Sequence, residues 1–204
     1  MAELLDRLSA VARPYLDIFP AATCIEQSRI VVEVLKRLDV ANARAIETTL
    51  SVHCPELKFL YLAGATAEDR ARGKRAVGGN NWIDHTTPEH EGHGHVVVLA
   101  YVEEGRYLID ATLAQASAPD RGMTIPRCVI PVGPLCEWPE TGGQIVAGFD
   151  MEDGKKVEIT WTFRDTRMFE STEAWEPSHL WNIINRIARE MKWAAVGERT
   201  KVNG

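Results

Sequence analysis

The 204-residue sequence is poor in cysteine: it has four, none in a C-x-x-C pair, which is too few for a disulfide framework in a chain of this length. It has no apolar run approaching the roughly 20 residues that cross a bilayer. Its opening stretch, MAELLDRLSAVARPYLD, mixes acids into the apolar positions where a secretory leader would show a basic and then an apolar region. It also lacks an excess of positive charge, with 23 Lys and Arg against 29 Asp and Glu for a net −6. Neither nucleic acid nor an anionic membrane is therefore the expected partner. No G-x-x-x-x-G-K-[ST] or G-x-G-x-x-G phosphate cradle occurs, and neither does an internal repeat or a low-complexity tract. These absences leave a cytoplasmic protein with reduced thiols and no cofactor. At 45% hydrophobic and 25% charged residues, it reads as a single domain over 1–204 that can bury a core without staples.

What is present is an α+β order of elements. Leu4, Leu5, Leu8 and Val11 recur at helical spacing as far as Pro14. Thr23-Cys24-Ile25-Glu26 has the form of a capping box, followed by an apolar face of Ile30, Val31, Val34, Leu35 and Leu38. A helix is expected from Cys24 to about Leu38, then a strand from Ala43 to Val52. Residues 64–94 are glycine-rich, charged and without sustained period, and read as a long loop or flap. His95 to Val102 and Arg106 to Leu113 flank Glu103-Glu104-Gly105 as a hairpin, and Gln144 to Asp150 and Lys156 to Arg164 flank Glu152-Asp153-Gly154 as another. Ser178 to Trp193 carries Leu180, Ile183, Ile184, Ile187 and Met191 on one face and forms a terminal helix, leaving a C-terminal hairpin-and-helix segment over 127–193. Helices at both ends with antiparallel hairpins between them predict an antiparallel sheet carrying a helix with Cys24 at its N-terminus.

That placement gives Cys24 a chemical role to weigh. Unpaired N–H groups and the helix dipole at a first turn favour an anion. A dipole contribution of about 0.3–1 kcal/mol falls short of the ~1.36 kcal/mol that changes an ionisation tenfold, so a second group must help hold a thiolate. His95, at the start of a central strand, could do so as imidazolium. Asp110, between Ile109 and Ala111 on the next strand, could orient that histidine, because a carboxylate in a sheet needs a partner. Cys54 before a proline, Cys128 in an apolar run and Cys136 between prolines read as filler. The register sets a condition. A two-residue turn at Glu104-Gly105 would put Asp110 opposite Leu99, about 13 Å from His95 at ~3.4 Å per residue. A triad therefore requires the hairpin to turn earlier than its Glu-Gly signal, through a wider loop near Tyr101 to Glu104, or to carry a bulge.

The segment from Cys24 through LKRLDVANAR, followed by HVVVLAYVEEGRYLIDAT, resembles the core of the transglutaminase-like superfamily within the papain-like cysteine enzymes. Cys24, His95, Asp110 and Thr112 match the cysteine that opens a helix, the histidine that begins a strand and the D-x-T that closes the next. The order is also similar to that of arylamine N-acetyltransferases. The resemblance spans about 20–116, and implies a papain-like fold and acyl-transfer chemistry on an amide or thioester. The acyl group would come from a peptide, a protein or a small acyl donor and pass to water (peptidase, amidase or deamidase) or to an amine (transglutaminase or N-acyltransferase). Two elements depart from the pattern. The turn Asp39-Val40-Ala41-Asn42-Ala43-Arg44 lacks the usual glycine and proline, and no glutamine or tryptophan precedes Cys24 to serve an oxyanion hole. Tyr15 is the candidate side-chain donor there, and Trp82, alone in the polar flap, is the candidate substrate contact.

Two readings of other classes stand beside this one. His85, His90, His93 and His95 cluster before the valine run, and His93-Gly94-His95 is half of a metal motif, so a zinc-dependent hydrolase is one alternative. No H-E-x-x-H helix occurs, and no Asp-His follows His95 to complete an H-x-H-x-D-H arrangement. A binding or scaffold protein that keeps the fold without turnover is the other, motivated by the missing oxyanion residue. The basic run Arg70, Arg72, Lys74 and Arg75 reads as a solvated part of the flap.

Overall fold

A computed structural model describes residues 2–19, 23–40, 42–77, 82–84, 94–102, 105–125, 128–133, 140–151, 153–164 and 166–202. The elements, in order, are α1 (Ala2–Leu16), α2 (Cys24–Arg37), β1 (Asn42–Cys54), β2 (Phe59–Ala63), α3 (Ala67–Val77), β3 (Trp82–Asp84), β4 (His95–Val102), β5 (Gly105–Asp110), β6 (Cys128–Gly133), β7 (Gln144–Asp150), β8 (Lys156–Phe163) and α4 (Trp181–Val202). Short 3-10 turns fill Leu113–Ala116, Pro119–Arg121 and the stretch from Met168 to Leu180. No helix among the described residues is long and apolar enough to cross a membrane.

The strands form one sheet in the order β3-β2-β1-β4-β5-β6, with β8 pairing β1 and β7 pairing β8. All of these pairings are antiparallel except β2 with β3, which is parallel. The fold is therefore α+β as expected, but its sheet is mixed, where the sequence suggested a purely antiparallel one. A parallel neighbour needs a crossover, and α3 supplies it between β2 and β3. Pro131 lies in β6 at the end of the strand order, the kind of edge position where a missing N–H is tolerated.

β1 organises the sheet. Its thirteen residues pair with β4 from Asn42 to Thr48 and with β8 from Thr48 to His53, while Leu50 to Cys54 pair with β2. Alternation then sorts the side chains into two cores. Val98, Ala100, Ile109 and Ala111 pack with α1, α2 and α4 through Leu8, Ile30, Leu35 and Ile184. Val97, Leu99 and Leu108 pack on the other face with β2, β7 and β8, through Phe59, Trp161 and Phe163.

Several boundaries move from where the sequence put them. Pro14 does not end α1, which continues to Leu16 with the proline in its last turn. Thr23 makes no side-chain cap. Its hydroxyl oxygen accepts from the Gln27 side-chain amide at 2.9 Å, while its carbonyl accepts the Gln27 N–H at 3.0 Å. The terminal helix begins at Trp181 after a 3-10 turn over Pro177–Leu180, and continues past Trp193 to Val202.

The flap expectation for 64–94 is corrected in part. Residues 67–77 form α3, which packs on β2 through Leu60, Leu62, Ala65 and Val77. Its N-terminus carries the capping box that Thr23 lacks. Thr66 Oγ1 accepts from the Asp69 N–H at 3.1 Å, and Asp69 Oδ2 accepts from the Thr66 N–H at 3.2 Å. The basic run Arg70, Arg72, Lys74 and Arg75 lies on this helix. The two glycines bounding the segment meet, because a Cβ built on Gly64 would lie 2.7 Å from Gly94 Cα and 2.6 Å from the His95 nitrogen. The excursion is thus pinned at its base, beside His95.

Candidate functional site

Cys24 is the first residue of α2 and is half-buried. No side chain caps the helix start. One turn further on, Ser28 donates from Oγ to the Val96 carbonyl at 2.8 Å, both groups being buried. That bond fixes the N-terminal end of α2 over the start of β4, next to His95. Cys24 is thereby brought close enough to the His95 ring to favour its charged form.

His95 is held from behind. Its carbonyl accepts from Thr48 Oγ1 at 3.0 Å, and Thr48 is its pairing partner on β1. The preceding residue, Gly94, donates its N–H to Glu47 Oε1 at 2.8 Å. Glu47 is fully buried and lies 3.5 Å from Arg164 Nη1. A Cβ on Gly94 would sit 2.5 Å from Glu47 Cγ and 2.8 Å from the Thr48 carbonyl oxygen, so glycine is required for the close approach.

The hairpin turns earlier than its Glu-Gly signal, but by a single position and without the wider loop expected near Tyr101 to Glu104, since Tyr101 still pairs with Arg106. Val102 pairs with Gly105 and Val98 with Ile109, so the turn falls earlier than Glu104-Gly105 and Gly105 becomes the first residue of β5. Gly105 takes φ +151, a conformation that suits glycine, which explains why the glycine sits at the turn's exit. Asp110 is then displaced by only two positions from His95 on the same face, a diagonal that a histidine and an aspartate can bridge. His95 Nε2 and Asp110 Oδ2 are 2.7 Å apart and both side chains are buried.

Asp110 collects further donors. Trp161 Nε1 donates to Oδ2 at 2.8 Å, and Thr112 donates to Oδ1 from its N–H at 3.1 Å and from its hydroxyl at 3.3 Å. Burial works against its charged form, but the His95 charge and these hydrogen bonds outweigh it and hold the carboxyl below its ordinary value. Burial likewise disfavours imidazolium at His95. The Asp110 carboxylate, through charge and hydrogen bond, and then Cys24 overcome it and push His95 up to about 10. The imidazolium is the favoured form at neutral pH. With Nε2 committed to Asp110, Nδ1 is the nitrogen left for Cys24.

Two site residues escaped the sequence reading. Trp161, buried in the second core, supplies the indole N–H that fixes Asp110. Tyr61, on β2, is buried, and its hydroxyl is pushed above its ordinary value by burial and then by the Asp110 and Cys24 charges. It is therefore a neutral donor in the field of both groups. Strand alternation assigns both residues to the inner face, but the approach of β8 to β5 depends on how β1 divides its pairing between β4 and β8, which no local pattern encodes.

Tyr15 is not placed as the sequence suggested. Its hydroxyl hydrogen-bonds Glu190 of α4, and Arg186 stacks on its ring at 5.2 Å, so its polar end is engaged between α1 and α4. Trp82 opens β3, pairing with Leu60, and its side chain lies outside the described residues. His85, His90 and His93 also lie outside them, as does Cys136. No group of three or more His, Cys, Asp or Glu that could hold a metal occurs among the described residues. Cys54 is buried in the second core, with its thiol 3.8 Å from Glu56 Oε2.

The arrangement can move a proton between a sulfur and an imidazole whose orientation and charge are fixed by a buried carboxylate. No protein-family model, curated protein or solved structure matches the chain.

Proposed function

We propose that the chain is a cysteine-nucleophile acyl-transfer enzyme with a Cys24-His95-Asp110 triad on a transglutaminase-like, papain-like core. The observation that carries this reading is the buried pair of His95 Nε2 and Asp110 Oδ2 at 2.7 Å, with Cys24 at the start of the helix that Ser28 fixes beside the same strand. A sulfur at a helix start beside an imidazole is the arrangement that nucleophilic attack on a carbonyl needs, with the ring as the proton carrier.

In the first half-reaction, the Cys24 sulfur bonds to the carbonyl carbon of an amide or thioester, and the carbonyl oxygen takes the negative charge. The Cys24 backbone N–H, at a helix start without a side-chain cap, donates to that oxygen, and the neutral Tyr61 hydroxyl adds to the local potential. His95 gives its proton to the leaving nitrogen or sulfur as the bond to carbon breaks, which leaves a thioester on Cys24. In the second half, neutral His95 takes a proton from water or an amine as it attacks the thioester, and the Cys24 thiolate leaves. Asp110 holds the imidazole in one orientation throughout. The substrate class is a peptide, protein or small acyl donor.

A screen of activated esters, thioesters and amides, comparing wild type with Cys24→Ala, tests the reading. Turnover with an acyl group trapped on Cys24, detected by mass, and loss of both in Cys24→Ala is the expected result. Turnover that survives Cys24→Ala would refute it, and so would the absence of any acyl-enzyme across the screen.

A further inference from the structure

A second site lies along the flank of α2, apart from the triad. A cavity of about 470 Å³ runs between α2, the first half of β1 and the chain following β8. Neither Cys24, His95 nor Asp110 lines it. Five cationic side chains do: Arg29 and Lys36 from α2, Arg44 from β1, and Arg164 and Arg167 beyond β8. Glu170 is the one carboxylate on the described wall.

The neighbouring acids do not balance this charge. Glu33 is shared among Arg29 at 3.4 Å, Lys36 at 3.0 Å and Arg37 at 3.5 Å. Glu47 serves Arg164 from beneath at 3.5 Å. Glu170 reaches Arg167 only at 3.9 Å, with both side chains well exposed. Arg44 is held below its ordinary value by burial, and the Arg167 charge adds to that against the opposing effect of Tyr101. Like charges held this close, in a chain of net charge −6, need a reason. A concave basic site in an acidic protein focuses its field on a small anion while the rest of the surface repels a large one.

Two further atoms on the wall point to a ligand. Arg29 Nε and Thr166 Oγ1 are buried and have no hydrogen-bond partner among the described residues. Buried donors of this kind ordinarily find an acceptor. The cations come from both walls, α2 and the chain after β8, with Arg44 between them, and five of them against one carboxylate exceed the charge of a single phosphate. Ala43, Ala45, Ile46 and Val32 supply an apolar stretch beside them, and the volume falls in the range of small-molecule sites.

We propose that this cavity binds a small molecule carrying a diphosphate or two neighbouring phosphate groups, held between Arg29 and Lys36 on one side and Arg164 and Arg167 on the other. Guanidinium groups suit this role because they bond phosphate oxygens in pairs. The proposal does not rest on the chemistry at Cys24.

Calorimetric titration of the full chain with inorganic diphosphate tests it. One equivalent binds, and the double variant Lys36→Ala/Arg167→Ala weakens binding by at least about tenfold, the scale of lost charge-assisted bonds. Both residues are exposed enough that the fold survives their removal. Arg72→Ala, on α3 outside the cavity, binds as wild type, and so does Cys24→Ala. Absence of binding at millimolar diphosphate, or equal affinity in the double variant, overturns the proposal. Inorganic phosphate binding as tightly as diphosphate overturns the assignment of two groups. A single-stranded oligonucleotide that binds more tightly than diphosphate, and loses affinity in the double variant, overturns the small-molecule assignment.

Discussion

Asp110 shows how much chemistry one buried carboxylate can organise. It accepts from an imidazole, an indole, a backbone N–H and a hydroxyl, so substitutions around it separate charge from geometry. Asp110→Asn keeps the shape and removes the charge that favours imidazolium. Turnover on any donor found should fall by roughly 10³–10⁴-fold, the scale seen when a triad acid becomes an amide. Trp161→Phe keeps most of the packing and removes one donor to a charged acceptor. Stability in urea should drop by about 1.5–3 kcal/mol, and the alkaline limit of turnover should move, which a packing defect alone would not cause. The pair also predicts a pH profile for folding. His95 is raised from 6.5 to about 10, so its contribution to stability is complete below pH 6.5 and is lost as pH rises through about 10. Asp110 is lowered from 3.8, so its contribution is present above that value and lost only as pH falls below it. Melting temperature should therefore decline between pH 6.5 and 10 in wild type, and His95→Gln should flatten that decline.

Among the elements, the sequence was most informative where a local pattern and the tertiary environment agreed. The start of α2 at Cys24, the hairpin of β4 with β5 and that of β7 with β8 follow from apolar period and turn residues, and His95 and Asp110 stand out as polar residues at the ends of apolar strands. What stayed hidden has physical causes. α3 buries only Gly73 and Val77 among its described side chains, so its stripe is too narrow to register as a period, and its best signal was the Thr66-Ala67-Glu68-Asp69 capping box. The same motif at Thr23 marks the start of α2 correctly but makes no cap, because its hydroxyl bonds the Gln27 side chain instead of the backbone. Tyr15 and Trp161 could be assigned only by tertiary contacts, one with α4 and one with β5. The base of the 64–94 excursion gives an element-scale test. Gly94→Ala forces a methyl against Glu47 and the Thr48 carbonyl, so it should cost about 1–3 kcal/mol in urea unfolding and lower turnover together with stability.

For the whole molecule, the division of labour follows the faces of the sheet. One core joins α1, α2 and α4 to β4 and β5, and the other joins β1 and β2 to β7 and β8. The His95–Asp110 pair belongs to the second face, while Cys24 arrives on a helix that packs on the first, tied down by Ser28 on Val96. The proposed triad would be complete only when both cores are formed. Ile184→Ala, fully buried on α4, removes side-chain volume from the first core and should cost about 2–5 kcal/mol in urea. If the helical core sets the position of Cys24, this variant should also slow alkylation at Cys24 under conditions where it remains folded.

The central claim is that His95 activates Cys24. The most direct measurement is the rate of iodoacetamide labelling at Cys24, read by peptide mass spectrometry at pH 6 in wild type and in His95→Gln. A neutral side chain in place of the imidazolium should slow labelling by at least about tenfold, because the thiolate loses its counter-charge. Equal rates in the two proteins would contradict the account.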